Sequence, residues 1–499
     1  MASARQRYDK LKLRRQPFLE RAWDYAELTI PSLLPRHGHH SSMRMIEPYQ
    51  AFASRLVVNL SSQLLLALLP PGAGSFTLTI PPEMLVKAGK LNAESEVEQK
   101  LALAAALITA EMESKAWRQP THLSLQLMVV SGNALEQILP DNRIRTFRLD
   151  QYVVVRDYVG HLLEIIIEEK ISPLALPPEI VSELSKDKQE ADADVCLYTW
   201  VKRTPKGDYA VHQQVEEIEI PGSKGTYDAD RLPFTALRWS IIPGEDYGRG
   251  KVEEHIGDIR AFEALSKSMV DGAAMAARHI TIVEPNATGT NLSRKIAKAN
   301  NGDVITGHFE DINMLQFQNV TGLQLVQQEL QRIAEQLGAA FLLRAGVVRD
   351  SERTTAAEVR MVAEELEGTL GGVYSMLSED MMRVRLERLM NQMVTQQKLP
   401  AFPKGSVVPR ITVGLEALGR EKDVQRVMSA AQIAQLLDPQ QEYADTAGLL
   451  RKAFTGLGLP ALVRSNEEAQ GIREQRAQAQ AAAQAGGKIA QMAAQTQEG

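Results

Sequence analysis

Apolar residues recur along the first 70 positions at helical spacing. Leu11, Phe18, Ala22, Tyr25 and Leu28 mark a helix over 9–30, ended by Pro31 and Pro35. A second helix is predicted over 47–68, stopping at Pro70-Pro71-Gly72. Phe76–Ile80 alternates as a strand, and helices follow over 93–117 and 120–138. The next stretch reads as sheet: strands are expected at 143–149, 151–158, 161–169, 195–203, 209–220 and 234–241. From Gly250 the rhythm changes. Val252, Ile256, Ile259, Phe262, Leu265, Met269 and Ala273 fall three and four apart and stripe one face of a helix over 251–278. At 1.5 Å per residue that is a rod of about 42 Å. Strands at 280–284 and 303–306 follow, with turns at 286–289 and 300–302. A second rod over 323–341 carries Leu323, Val326, Leu330, Ile333, Leu337 and Phe341. The unit is rod, small β module, rod. A third long helix begins at the capping box Thr355-Ala-Ala-Glu358 and runs to about 397. Gly368 and the pair Gly371-Gly372 interrupt it, and glycine pairs are a cause of sharp kinks. A strand at 411–413 is expected to return to the earlier sheet. Short helices fill 420–465, and an Ala/Gln-rich tail closes the chain. The class is α+β, predominantly helical, rather than alternating βαβ.

The 499 residues suffice for two or three domains. The formal net charge is -6, without the basic excess of a protein that wraps nucleic acid. One cysteine, Cys196, excludes an intrachain disulfide framework and a Cys-rich zinc module, and its alternating strand places it in the core. The start lacks the basic-then-apolar order of a secretory signal, and the longest apolar runs, at 64–69 and 101–106, are too short to cross a membrane. Cytosolic assembly is therefore expected.

Enzymatic motifs fail on spacing. Gly244-Glu-Asp-Tyr-Gly-Arg-Gly250-Lys251 looks like a phosphate-binding loop, but it is one residue too long and Val252 stands where a magnesium-binding hydroxyl belongs. A glycine turn into a helix describes it better. His37, His39 and His40 lack a partnered carboxylate or cysteine and read as a surface loop; His255 and His279 stand alone. No Gly-x-Ser-x-Gly is present. Cys196 aside, the acidic pairs Glu253-Glu254 and Glu364-Glu365 read as solvated helix faces. No catalytic residue, metal site or cofactor is assigned. Along the third long helix, Arg360, Arg383, Arg385 and Arg388 oppose Glu358, Glu364, Glu365, Glu367, Glu379, Asp380 and Glu387, a balance of −3. That is a solubilising face, or a wall that must not adhere to a polyanion. The preceding loop carries Arg344, Arg349 and Arg353, which a ring of copies would turn into a cationic collar.

Several separate segments resemble one family, in its order. Arg7-Tyr-Asp-Lys-Leu-Lys-Leu-Arg-Arg-Gln-Pro-Phe-Leu19 with Glu27-Leu-Thr-Ile-Pro31 is similar to the amino terminus of portal proteins, the head-to-tail connectors, of short-tailed bacteriophages. Glu245-Asp-Tyr-Gly-Arg-Gly250 and Val252–Asp258 resemble the lead-in to their first stem helix. Glu352–Glu358 and Glu364–Tyr374 resemble their long kinked helix.

The resemblance implies a self-assembled ring of about twelve subunits at one capsid vertex, assembled in the host bacterial cytoplasm and carried in the virion. Double-stranded DNA would pass through it, without sequence readout, during packaging and ejection. It implies a wing (1–248), a first stem helix (249–279), a clip (280–320), a second stem helix (321–343), a channel loop (344–353), a long kinked helix returning to the wing (354–419), and a helical crown with the tail (420–499). Arg344, Arg349 and Arg353 would face DNA. Arg294, Lys295 and Lys298 would lie on the clip, where terminase and then tail adaptor proteins dock. Gly368, Gly371 and Gly372 would form the kink. Capsid, scaffolding and internal core proteins are the other implied partners. No enzymatic activity is implied, since ATP hydrolysis in the family belongs to a separate terminase. Two alternatives fit the sequence as well: another virion ring such as a tail adaptor and, less readily, a cytosolic enzyme with a dispersed active site.

Overall fold

The structure is a computed structural model that describes residues 3–36, 44–70, 76–80, 94–188, 190, 194–276, 280–283, 294, 296, 298–299, 312–315, 320–343, 368, 372, 376–400, 407–411, 429, 432, 471 and 475.

Helix α1 (Ala4–Leu28) starts where the Ser3 hydroxyl accepts from the Gln6 amide and tolerates Pro17 inside it. Helices α2 (Phe52–Leu68), α3 (Glu94–Ser114) and α4 (Arg118–Ser131) follow, with strand β1 (Phe76–Thr79) between α2 and α3. The helix expected over 120–138 stops early. Gly132 closes α4 in the left-handed conformation (φ 75°), and Asn133–Ile138 is strand β2. Ser131-Gly132-Asn133 separates the two elements, a short turn signal that helical spacing alone passes over.

Strands β3 (Ile144–Phe147) and β10 (Phe234–Arg238) flank β2 in a three-stranded antiparallel sheet. Strands β4 (Tyr152–Arg156), β5 (Leu162–Ile171), β6 (Val195–Arg203), β7 (Tyr209–Val215), β8 (Ile218–Glu219) and β9 (Gly225–Tyr227) make a six-stranded antiparallel sheet. The expected strand over 209–220 is thus two, split at Glu216, whose φ is 55°. The six-residue helix α5 (Pro178–Glu183) was not expected.

Strand β5 shows why its isoleucines run together. Ile166 packs with Tyr8 and Leu11 of α1, while Ile165 and Ile167 face the main core, so both faces of the sheet are covered. Arg7 of α1 grips Glu164 of β5 through Nη2 at 2.7 Å, and buried Arg15 donates to the carbonyls of Asp150 and Tyr152. Cys196 is half-buried beside this smaller cluster, and burial pushes its thiol pKa up.

The first rod is α6 (Lys251–Glu254) and α7 (Ile256–Ala276), with His255 outside helical geometry between them. The second is α8 (Val320–Ala340). Between them β11 (Ile280–Val283) pairs antiparallel with β12 (Ile312–Leu315), from Ile280↔Leu315 to Val283↔Ile312. Strand β12 has no alternation of its own to announce it, and the strand expected at 303–306 lies outside the described residues. The chain then reaches a π-helical turn over Leu377–Arg383, helix α9 (Val384–Thr395), and β13 (Val408–Ile411). Among the described residues β13 pairs with β1 in a separate two-stranded sheet rather than joining the larger ones. No helix among the described residues is long and apolar enough to cross a membrane.

Candidate functional site

The candidate site is the hairpin α7–β11–β12–α8 and the way its base is fixed. Two glycines of the supposed phosphate loop, Gly248 and Gly250, serve this fixing. A Cβ on Gly250 would lie 2.6 Å from the Val129 carbonyl oxygen, and one on Gly132 would lie 2.4 Å from the Arg249 carbonyl carbon. Asn133 clamps the same contact: its Oδ1 accepts from the Gly248 amide (2.7 Å) and its Nδ2 donates to the Gly248 carbonyl (2.9 Å). The loop is filled by the chain's own backbone, which leaves no cradle for a phosphate.

Charged pairs add direction to the lead-in. Arg249 bridges Glu245 and Glu253, each at 2.7 Å, which lowers the Glu245 carboxyl pKa through the hydrogen bond from Arg249. Arg260 of α7 sits 3.5 Å from Asp24 of α1. At the other leg, Asn59 and Gln63 of α2 donate to the free carbonyls of Phe341 and Leu342 at the end of α8 (2.9–3.1 Å). The His255 ring stands 5.5 Å from that of Phe341, tying the two legs together; burial, then Lys251, hold its pKa below the ordinary value.

Away from this base the hairpin loses cover. Val252, Ile259, Ile333, Leu337 and Phe341 are buried, Phe262, Leu265, Met269, Leu323, Val326 and Leu330 only partly, and Ala273 is exposed. The legs meet closely at Gly272, where a Cβ would come within 2.7 Å of Leu323 Cδ2. Beside that contact Val270 (52%), Met275 (60%) and Leu325 (64%) face outward. A single copy leaves this apolar surface in water.

The long helix is anchored at its far end. Arg385 and Glu136 form a buried ion pair: Nε donates to Oε2 at 2.7 Å, Nη2 donates to Oε1, and Nη1 donates to the Thr121 hydroxyl at 2.9 Å. Arg388 reaches the Thr235 hydroxyl, and burial pushes its pKa down to about 10. Gln392 and Gln396 donate to the carbonyls of Leu139 and Pro140. Two of the four arginines attributed to a solvated face therefore belong to the packed side. The signal was present: Arg385 extends the row Leu377, Met381 toward Leu389 at intervals of four.

Of the sequence-predicted positions, Arg344, Arg349, Arg353, Lys295 and Gly371 lie outside the described residues, as do His37, His39 and His40. Arg294 and Lys298 are exposed on helical backbone. Gly368 is helical, and Gly372 lies in a turn with φ 85°, in the left-handed region that favours glycine. Among the described residues no three His, Cys, Asp or Glu are grouped to hold a metal.

The comparisons with known proteins agree with one another. The portal protein of Enterobacteria phage T3 is 35% identical over 446 residues, covering 88% of this chain and 83% of the relative. That of Escherichia phage T7 is 33% identical over 447 residues, with the same coverage, and that of Pseudomonas phage phiKMV is 29% identical over 501 residues, covering 95% and 94%. Residues 1–463 match the family described as bacteriophage head to tail connecting protein, and to that family the chain belongs.

Proposed function

We propose that the protein is a portal: a closed homomeric ring of about twelve copies at one capsid vertex, through which double-stranded DNA is packaged and ejected. Relatives of that name match most of the chain. The observation in the structure that carries the reading is the hairpin, whose apolar stripe is covered by its own chain only at the base. A repeated head-to-tail contact supplies that cover without a dyad and closes into a ring. In this reading 1–248 forms the wing, 249–279 and 321–343 the stem, 280–320 the clip, 344–353 the channel loop, 354–419 the long kinked helix, and 420–499 the crown and tail.

Arg344, Arg349 and Arg353 supply phosphate attraction without base readout, and the acidic excess of the following helix limits it. Arg294, Lys295 and Lys298 present the clip to terminase and tail adaptor proteins, and capsid, scaffolding and internal core proteins contact the rest of the virion-bound ring. Electron microscopy and native mass spectrometry of the purified chain test the proposal. Rings with an open axis are expected. Monomers and dimers alone, across salt and concentration, would overturn it.

A further inference from the structure

Where the π turn crosses the sheet, a cavity of about 310 Å³ opens between β10, the turn and α9. It lies at the small end of the range for ligand pockets, about 300–1,000 Å³. Arg156, Arg238 and Arg388 line it, Asp380 is the one carboxylate in its wall, and Phe234 and Leu377 form apolar surface beside them. The nearby Arg383 is already engaged by Glu379 and Glu387 and contributes no free charge.

The three guanidiniums are held in place with capacity left over. Arg156 donates to the carbonyls of Asp246 (3.1 Å), Gly160 (3.0 Å) and Ala236 (2.8 Å), so backbone rather than a carboxylate fixes it. Arg238 donates to the Glu245 carbonyl (3.2 Å). Arg388 reaches the Thr235 hydroxyl, while its Nε is buried with no acceptor among the described residues. A buried donor without an acceptor is destabilising until a partner arrives. Burial and then the facing Arg238 push the Arg156 pKa down to about 10, and burial raises that of Asp380. Cations gathered in a partly dry cavity with a deficit of carboxylate are stabilised by an added anion.

We infer that this cavity binds a small dianionic oxyanion carrying an apolar group, of the phosphomonoester class, with Arg156, Arg238 and Arg388 around the anion and Phe234 and Leu377 against the apolar part. At the wall three guanidiniums face one carboxylate; Asp246, which accepts from the Arg156 amide at 2.7 Å, offsets part of this charge, while Glu136 and Glu387 near Arg388 are engaged by Arg385 and Arg383, so the cavity favours a bound anion. The apolar wall distinguishes an ester from a bare ion.

Isothermal titration calorimetry of the full chain, with phenyl phosphate, inorganic phosphate and phenol as probes, decides the matter. Phenyl phosphate is expected to saturate one site per chain with Kd of about 1 mM or tighter. Inorganic phosphate binds more weakly and phenol not measurably. Arg388→Gln and Arg238→Gln each weaken phenyl phosphate about tenfold or more. Asp380→Asn strengthens it, because a like charge is removed, whereas a purely structural role would leave affinity unchanged or lower. Absence of saturable binding, phenol binding as well as its phosphate, arginine variants at wild-type affinity, or no gain in Asp380→Asn would each overturn the inference. Ring formation, read separately by mass, stands or falls independently of these outcomes.

Discussion

Replacing Glu136 by Gln should be among the most destabilising single changes in the chain. Glu136 and Arg385 are 2% and 1% exposed, and the guanidinium has the carboxylate and the Thr121 hydroxyl as its polar partners beside the Met382 sulfur. The substitution keeps the shape but strands a buried cation, at a cost of about 3–5 kcal/mol. Replacing both residues by apolar ones, Glu136→Leu with Arg385→Met, removes the charge together with its partner. Thr121 stays satisfied in the double variant because its hydroxyl donates to the Trp117 carbonyl at 2.7 Å. The double variant should therefore be clearly more stable than Glu136→Gln alone. Urea unfolding followed by tryptophan fluorescence reads this directly, since Trp117 and Trp239 are each 1% exposed. With an m-value of about 3 kcal/mol/M, the Glu136→Gln midpoint should fall by about 1 M or more. A loss under about 1 kcal/mol, or a double variant no better than the single, would refute the argument that the stranded charge is what destabilises.

Leu325→Asp, at an exposed position of α8, should leave the fold of one copy intact while mass spectrometry shows the ring reduced or lost. Gly132→Ala combines a left-handed φ, worth about 1–2 kcal/mol, with a clash against the Arg249 backbone, and should lower the melting temperature or yield insoluble protein. Burial holds His122, His212 and His255 below their ordinary pKa, so the unfolded chain takes up protons first. The urea midpoint should fall as pH drops from about 7 to 5, with a shallower slope in His255→Gln. Rings with Arg344, Arg349 and Arg353 all changed to Ala should keep their mass but retain DNA less well, a difference that shrinks at high salt.

The parts of this fold legible in the sequence are those governed by one uninterrupted period. The stripe from Val252 to Ala273 and that from Leu323 to Phe341 located both legs of the hairpin, because the apolar spacing carries through each, even past His255, where the first leg leaves helical geometry. Failures came where a single backbone conformation overrides the pattern, as at Gly132 between α4 and β2 and at Glu216 between β7 and β8. Strand β12 escaped because its register is set by β11 and not by alternation of its own, Ile-Asn-Met-Leu. Charge misled for another reason. Arg385 looks like surface until its partner is known, and that partner stands 249 residues earlier. The cavity arginines share this difficulty, since Arg156, Arg238 and Arg388 come from three distant elements.

The pairing of β1 with β13 dictates an order of events during synthesis. Thr79 finds its partner Val408 only 329 residues later, so at about 5–20 residues per second the early strand waits about 16–66 s on the ribosome. Both legs of the hairpin emerge within that interval, with Leu325 and Met275 already facing outward. Neighbouring chains on one polysome thus display their sticky hairpins before any has closed its terminal strand pair. Premature association of half-folded chains is the misassembly this topology invites, and a delay in hairpin contact, or a chaperone holding it, is what would keep synthesis productive.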